Sequence, residues 1–235
     1  MNKLAVISGG TKGIGRALVE LFHLNGFDVI TCARNAKDLK AMESQLNQPD
    51  AFGSVTGIQA DMSRKEEVQA FAADIRKLGR PVDVLINNTG VYRPGYIHDL
   101  SEDLLDWMLH TNLHSAYYLT RGVIEDMMKV RSGHIFNICS TASNTPFENG
   151  GSYSISKYAM LGMTKVLREE MKKHGVRVTA VLPGPTETAS WEGAEVEENR
   201  LMRPEDIAKA IWSAYALSDN AVVEELTLRP QLGDL

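Results

Sequence analysis

The chain has 235 residues, of which 43% are hydrophobic and 23% are charged, and its formal net charge is −5. This composition is typical of a globular protein with a substantial core, and an acidic balance without a basic tract argues against nucleic-acid binding. No apolar run approaches the ~18 residues of a membrane span, and a strand begins too early for a signal peptide, so the sequence predicts a cytoplasmic protein without membrane contact.

Segments typical of strands and of helices alternate along the chain. The predicted strands are Leu4–Ser8, Asp28–Ala33, Val55–Ala60, Val82–Ile86, Gly133–Ile138, Val176–Leu182 and Ala221–Leu228. The predicted helices are Gly13–Asn25, Lys37–Asn47, Arg64–Leu78, Glu102–Lys129, Tyr153–His174 and Pro204–Leu217. This alternation predicts an α/β fold, a doubly wound parallel sheet of about seven strands with helices on both faces. No repeat or linker interrupts it, so residues 1–235 are expected to form a single domain.

The first predicted strand runs into a glycine-rich turn, Gly9-Gly-Thr-Lys-Gly13-Ile-Gly15, which is followed by an amphipathic helix. Glycines allow a tight turn and a close approach to a pyrophosphate, and the helix offers free N–H groups to an anion. An ordinary strand-to-helix turn has the same outline, but three glycines in this setting favour dinucleotide binding. The residues expected to bind it are Gly9, Thr11, Lys12, Gly13, Ile14 and Gly15.

The end of the second strand indicates which dinucleotide is bound. NAD sites usually place an acidic residue ~20 residues beyond the glycine motif, against the ribose hydroxyls. Here that place reads Cys32-Ala33-Arg34. An arginine can grip a 2′-phosphate with two hydrogen bonds, and Lys12 adds a second cation. The sequence therefore predicts NADP(H) rather than NAD(H); the alternative is that both cations are merely solvated.

Tyr153 and Lys157 stand four residues apart on a predicted helix, so their side chains share one face. A phenol has a pKa near ~10 and transfers protons poorly at neutral pH, but a neighbouring ammonium is expected to lower that pKa. Ser140, at the end of a predicted strand, supplies a hydroxyl that can hold a carbonyl oxygen. Alone, such a helix pair is a common surface feature; beside the glycine turn it indicates catalysis.

The chain resembles the short-chain dehydrogenase/reductase family from Leu4 to about Leu228. The residues that carry the resemblance are the glycine turn, Asp61, Asn87-Asn88-Thr89-Gly90, Asn112, Ser140, Tyr153, Lys157 and Pro183-Gly184-Pro-Thr-Glu-Thr188. Ser8 and Thr89 depart from the usual threonine and alanine, and both are small enough to keep the backbone path.

The resemblance implies a Rossmann-type fold and roles for the remaining landmarks. Catalysis would rest on Asn112, Ser140, Tyr153 and Lys157, with Asn112 at a helix distortion that continues a proton relay from the lysine. Cofactor contacts are implied for Asp61, Met62, Asn88, Gly90, Tyr153, Lys157, Pro183, Gly184, Thr186 and Thr188. Asp61 is equally placed to cap the next helix, Asn88 and Gly90 suit an ordinary turn, and Asn112 suits an exposed helix face.

The expected reaction is reduction of a small-molecule carbonyl to an alcohol, with NADPH giving the hydride and Tyr153 the proton. Residues 186–202, with five glutamates and Trp191, are expected to form a substrate lid, and the loops at 92–96 and 144–148 to line the pocket. Two alternatives stay open: a 3-oxoacyl-thioester reductase, whose Asp-Gly-Gly ending this chain lacks, and a non-catalytic NADP-binding sensor. No metal is expected, because His110 and His114 lack a third ligand. Apolar residues on the long helices imply a homodimer or homotetramer.

Overall fold

The computed structural model of the chain describes residues 1–191, 193, 195–197 and 199–234. The strands are β1 (Leu4–Ser8), β2 (Asp28–Ala33), β3 (Val55–Gln59), β4 (Val84–Asn87), β5 (His134–Ile138), β6 (Arg177–Pro183) and β7 (Glu225–Leu228). The helices are α1 (Gly13–Leu24), α2 (Ala36–Leu46), α3 (Lys65–Arg76), α4 (Glu102–Leu109), α5 (Ser115–Val130), α6 (Gly151–Met171) and α7 (Pro204–Tyr215). The two largest differences from the prediction are that a π-helical turn, His110–His114, separates α4 from α5, and that β7 begins four residues late; other element ends shift by at most three residues.

The seven strands form one sheet in the order β3-β2-β1-β4-β5-β6-β7, and every neighbouring pair is parallel. The predicted doubly wound parallel sheet is therefore confirmed. The chain winds outward from β1 in one direction and from β4 in the other. The carboxyl ends of these two central strands therefore flank the crevice where such sheets bind ligands.

Helices cover both faces of the sheet and bury its apolar side chains. On one face α1 and α7 pack together over β1, and Phe22 lies edge-on to Phe27 at 5.1 Å and to Trp212 at 5.2 Å. On the other face α3 and α5 pack together through residues such as Phe71 and Leu119. All five residues of β1 are buried, as expected of a strand covered from both sides.

No helix in the described part of the chain is long and apolar enough to cross a membrane. Cys32 and Cys139 are free and buried, and burial raises the pKa of their thiols to about 12 and about 11. Both therefore carry a protonated thiol at neutral pH.

Candidate active site

The glycine turn ties the end of β1 to the end of β2. The amides of Gly9 and Gly10 both lie within hydrogen-bonding distance of the Cys32 carbonyl, at 3.1 and 3.4 Å. Helix α1 then begins at Gly13, and no side chain caps its first N–H groups. These N–H groups are free to bind an anion at the positive end of the helix dipole.

Two of these glycines are required by their surroundings. A Cβ at Gly15 would lie 2.1 Å from the carbonyl oxygen of Gly9, so no other residue fits there. Gly13 has a φ of +53° and lies against Thr188, whose Cγ2 would be 3.0 Å from an added Cβ. The turn therefore keeps its backbone bare toward the crevice, which suits a diphosphate. Ile14 packs against the core behind it.

The positive side chains predicted to select the dinucleotide are both exposed. Arg34 follows β2, its carbonyl accepts a hydrogen bond from Gln59 at 3.0 Å, and its guanidinium forms no ion pair with a described residue. Lys12, at the start of α1, is likewise unpaired within that part of the chain. Bare glycines, an uncapped helix start and two unneutralised cations fit a phosphate-bearing dinucleotide.

Hydrogen bonds join the segment after β4 to the glycine turn. The side chain of Asn88 donates to the carbonyls of Ser8 and Gly9 at 2.9 and 3.1 Å, and the Ser8 hydroxyl accepts from the amides of Asn88 and Thr89, each at 3.0 Å. Ser8 thus holds the backbone path despite its departure from threonine. The amide nitrogen of Asn88 is occupied by the turn, so its predicted ribose contact remains a prediction.

Asp61 closes a turn before α3 and does not cap the helix, whose N-cap residue is Arg64. Its Oδ1 accepts from the amide and the hydroxyl of Ser63 at 2.9 and 2.8 Å, just before α3. Met62 beside it is buried in the core. The alternative of a helix cap is therefore not observed, and the cofactor contact of Asp61 stays a prediction.

Ser140 follows β5, and its side chain is almost fully buried. Its Oγ accepts from the amide of Ala142 at 3.1 Å, while its own amide donates to the Ser143 hydroxyl, also at 3.1 Å. This reciprocal pair fixes the Ser140 rotamer and leaves its hydroxyl proton free to donate. The Ser140 side chain lies close enough to Tyr153 to lower the pKa of its phenol, and their joint contact with a carbonyl oxygen stays a prediction.

Tyr153 and Lys157 lie in the first two turns of α6 and face the end of β5. The Lys157 Nζ is buried, donates to the Ile138 carbonyl at 2.9 Å, and lies 5.8 Å from the centre of the Tyr153 ring. Since α6 begins at Gly151, the tyrosine is held on a helix rather than on a loop. Its position is therefore set by the packing of α6.

The predicted pKa of Tyr153 is wrong for this structure. Burial raises it to about 12, against the lowering effect of Ser140, and Lys157 is not among its causes. The same exclusion of water lowers the pKa of Lys157 to about 8. Removing water penalises the charged forms of both groups. The phenol is therefore protonated at neutral pH.

Asn112 lies in the π-helical turn, which confirms the predicted helix distortion. Its side chain accepts from the Val91 amide at 2.7 Å and donates to the Val91 carbonyl at 3.0 Å and to Ser156 at 2.9 Å. Both its N–H donors are thus occupied, whereas its Oδ1 can accept a second hydrogen bond. The relay itself stays a prediction.

Gly90 lies between these groups. A Cβ there would be 3.4 Å from the Lys157 Nζ and 3.5 Å from the Asn112 Oδ1, so the two polar atoms flank one backbone position. The loop after β4 thereby reaches the catalytic candidates on α6.

The segment after β6 bends back over the glycine turn. Gly184 donates its amide to the Leu228 carbonyl at 2.8 Å, and the Thr186 hydroxyl donates to the Gly184 carbonyl at 2.9 Å. A bridge between Thr186 and Met202 closes the base of residues 186–202. This bend brings Thr188 against Gly13, and the role of this segment in covering the cofactor stays a prediction. Glu192 and Glu198 of the predicted lid lie outside the described residues.

Sequence reasoning did not find the aromatic wall beside the tyrosine. The Tyr92 ring meets the Tyr153 ring edge-on at 4.9 Å and the Phe147 ring at 6.4 Å. The sequence placed both residues in pocket loops, but not in contact with each other. A groove of about 550 Å³ on the outer side of Phe147 and α6 is not lined by Ser140 or Tyr153.

The rings of His110 and His114 on the π turn form a T-shaped pair with centres 4.8 Å apart. The described residues contain no group of three possible metal ligands. The absence of a metal stays a prediction.

Comparison with known proteins agrees with this geometry. The sequence model of the short chain dehydrogenase family matches residues 3–199. A sepiapterin reductase of Chlorobaculum tepidum is 35% identical over 244 aligned positions, which cover 100% of this chain and 99% of the relative.

Two solved structures share the fold. One is an alcohol dehydrogenase from the archaeon Thermococcus sibiricus complexed with 5-hydroxy-NADP, with a TM-score of 0.90, 25% identity, and coverage of 98% of this chain and 97% of the other. The second is an actinorhodin polyketide ketoreductase with NADPH, with a TM-score of 0.88, 26% identity, and coverage of 100% and 98%.

These matches span the chain and the fold, and the relatives are named as reductases and dehydrogenases. The alternative of a non-catalytic sensor therefore finds no support. The chain belongs to the short chain dehydrogenase family, and it is an oxidoreductase.

Proposed function

We propose that the protein is an NADPH-dependent reductase that converts a ketone or aldehyde to an alcohol, with Tyr153 as the proton donor. The observation that carries this proposal is that Ser140, after β5, lies close enough to Tyr153 on α6 to lower the pKa of its phenol, with the Lys157 Nζ buried beside them and anchored to the Ile138 carbonyl. Two hydroxyls that meet at one point can both contact the oxygen of a carbonyl.

The protonation state of Tyr153 favours the reductive direction. Because the pKa of the phenol is raised to about 12, it holds its proton at pH 7 and can give it to a developing alkoxide. Oxidation of an alcohol needs the phenolate, which is scarce at that pH. The Ser140 hydroxyl donates to the same oxygen. The hydrogen bond from the Ala142 amide fixes the Ser140 rotamer and thereby orients this hydroxyl toward the substrate oxygen.

NADPH, when bound, supplies the hydride. Lys157, anchored to the Ile138 carbonyl, has two further N–H groups to hold a ribose hydroxyl and to return a proton to Tyr153. Arg34 and Lys12 bind the 2′-phosphate, and the bare turn at Gly13 and Gly15 receives the diphosphate. The NADP-containing structures of two relatives support the same cofactor here.

We infer that the substrate is a compact, planar ketone. The Tyr92 ring lies against Tyr153 and the Phe147 ring lies against Tyr92, and the lid proposed for the site is residues 186–202. Aromatic walls favour flat, conjugated molecules. The sepiapterin reductase relative makes sepiapterin a natural first compound to test.

The experiment is a carbonyl panel assayed by NADPH absorbance loss. It contains sepiapterin, aromatic and aliphatic ketones, diketones, aldehydes and acetoacetyl-coenzyme A, each with NADPH and with NADH. The proposal expects the highest kcat/KM with NADPH and a planar ketone. Absence of turnover across the panel, with tight NADPH binding, would reject the reductase.

The 3-oxoacyl-thioester reductase remains the second candidate, because a polyketide ketoreductase shares the fold. It predicts that acetoacetyl-coenzyme A outperforms every free ketone.

A homodimer or homotetramer is part of the proposal, as is a cytoplasmic location. Tyr117 on α5 and Val166 on α6 are large and exposed, which suits subunit contacts. Met108 on α4, an apolar residue of the predicted fourth helix, is fully buried inside the chain and is unavailable for a subunit contact. Light scattering at micromolar concentration tests the number of subunits.

A further inference from the structure

The ring of Tyr92 lies directly against the ring of the proposed proton donor. The centres of the Tyr92 and Tyr153 rings are 4.9 Å apart and the ring planes meet at 78°, which is an edge-to-face arrangement. Aromatic pairs favour this geometry because the positive edge of one ring meets the negative face of the other. The contact therefore favours one orientation of the Tyr153 ring over others.

The loop that carries Tyr92 is anchored on both sides of this residue. Before it, the Val91 amide donates to the Asn112 Oδ1 at 2.7 Å, and the Val91 carbonyl accepts from the Asn112 side chain at 3.0 Å. After it, the Gly95 amide donates to the Asn149 carbonyl at 2.9 Å. The backbone that bears the Tyr92 ring is therefore held between two fixed points.

The start of α6 depends on contacts from outside the helix. No side chain caps α6, and its first residue, Gly151, has a φ of +28° and lies two residues before Tyr153. Helix ends fray more readily than helix interiors, and a side-chain cap is one of the ways to prevent it. A Cβ at Gly151 would lie 2.3 Å from the Gly95 carbonyl oxygen, so the loop that carries Tyr92 packs directly on this first turn. The same loop thus supports both the backbone and the ring of the tyrosine.

Tyr92 is supported in turn by Phe147, whose ring centre lies 6.4 Å from its own. Its position also affects the protonation state of its neighbour. Burial is the largest cause of the raised pKa of Tyr153, and Tyr92 raises that pKa further. A raised pKa keeps the proton on the phenol until a stronger base, such as a developing alkoxide, takes it.

We propose that Tyr92 is a positioning residue, whose ring orients the Tyr153 phenol toward the substrate carbonyl and thereby raises kcat. This inference rests on the proposed function, because it assumes that Tyr153 is the proton donor. It differs from the role of a pocket wall. A wall acts on the substrate it touches, whereas a positioning residue acts on Tyr153 whatever the substrate is. The contact is between rings, so the Tyr92 hydroxyl is not required.

The test uses variants that separate the ring of Tyr92 from its hydroxyl and from its bulk. Tyr92→Phe keeps the ring, whereas Tyr92→Leu and Tyr92→Met replace it by an apolar chain. Tyr158→Leu is the matched control, because Tyr158 is an exposed tyrosine on α6. Each protein is assayed with NADPH and two ketones of the panel, the best planar one and the best small aliphatic one. The Kd for NADP⁺ and the melting temperature are measured alongside.

Tyr92→Leu and Tyr92→Met should lower kcat about three- to tenfold for both ketones, which is within the range of one aromatic contact. Their Kd for NADP⁺ should match wild type, and the solvent deuterium isotope effect on kcat should rise, because a misplaced donor slows proton transfer. Tyr92→Phe should stay within about twofold of wild type, and Tyr158→Leu should match it. In a Tyr153→Phe background, Tyr92→Leu should cause no further loss of kcat, since the hydroxyl it orients is gone.

Three results would overturn the inference and leave the proposed function intact. The first is a Tyr92→Leu enzyme with a raised KM for the planar ketone and wild-type kcat for the aliphatic one, which would make Tyr92 a wall alone. The second is an equal loss of kcat in Tyr92→Phe and Tyr92→Leu, which would assign the effect to the hydroxyl. The third is an undiminished effect of Tyr92→Leu in the Tyr153→Phe background. Absence of ketone turnover by the wild-type protein would instead overturn the proposed function itself.

Discussion

Lys157 provides a quantitative test of how the site is built. Its side chain is 4% exposed, its Nζ donates to the Ile138 carbonyl, and no described acidic residue pairs with it. Burial lowers its pKa from 10.5 to about 8. The folded protein therefore keeps an ammonium in a place that disfavours charge.

The sign of the effect follows from proton binding. Between pH 8 and 10.5 the unfolded chain holds this proton more tightly than the folded protein, so folding becomes more favourable as the pH rises through that window. Below pH 8 both states are protonated and the full penalty applies, on the order of 3 kcal/mol at 1.36 kcal/mol per pKa unit. From pH 7.5 to pH 10, about 2 kcal/mol of it should be relieved.

The assay is urea unfolding of cofactor-free wild type and Lys157→Met at pH 7.5 and pH 10. Methionine has no proton to lose, so only wild type is relieved of the penalty at high pH. From pH 7.5 to pH 10, the unfolding free energy of wild type should rise by about 2 kcal/mol relative to that of Lys157→Met. Lys165→Met is the control, because Lys165 is exposed and pairs with Glu225 at 2.9 Å. The difference in unfolding free energy between wild type and Lys165→Met should change by less than about 0.5 kcal/mol between the two pH values. A Lys157→Met difference that is the same at both pH values would refute the buried-ammonium description.

Three further outcomes are expected. Arg34→Ala should raise KM for NADPH at least about tenfold and leave NADH kinetics nearly unchanged, whereas a wild-type preference for NADH would contradict the cofactor assignment. Burial lowers the pKa of His134 to about 3, so acid should destabilise wild type between about pH 6.5 and 3. In urea unfolding, the free energy of unfolding of His134→Leu should rise by about 2–3 kcal/mol relative to wild type when the pH falls from 6.5 to 4. An unchanged difference between the two proteins would refute this. Asn112→Ala leaves both Val91 backbone groups unpaired, so it should destabilise the protein by about 2 kcal/mol in the same assay and lower kcat. Wild-type stability together with wild-type kcat would refute a positioning role for Asn112.

The sheet could be predicted because its signals are local. Each strand is a short apolar run, each helix has its own period, and their alternation leaves little choice of topology. The sequence predicts the start of the last strand four residues too early because Val222 and Val223 are apolar. The β7 ladder begins only where Glu225 pairs with Ala180.

Site features that depend on tertiary contacts were harder to foresee. The π turn at Asn112 exists because its side chain bridges Val91 and Ser156, which lie far along the chain and on another helix. The pKa of Tyr153 depends on how much water the folded crevice admits, and spacing along α6 carries no information on that. The contact between the Tyr92 and Tyr153 rings became visible only once the loop after β4 was placed against α6.

The most direct test of the account compares Tyr153→Phe with wild type and with Tyr158→Phe, which alters an exposed tyrosine on the same helix. The measurement is kcat/KM with NADPH and the best ketone of the panel. Loss of the proton donor should lower this value by at least about 10²-fold in Tyr153→Phe, and Tyr158→Phe should match wild type. A Tyr153→Phe enzyme within tenfold of wild type would contradict the central claim that this phenol protonates the product.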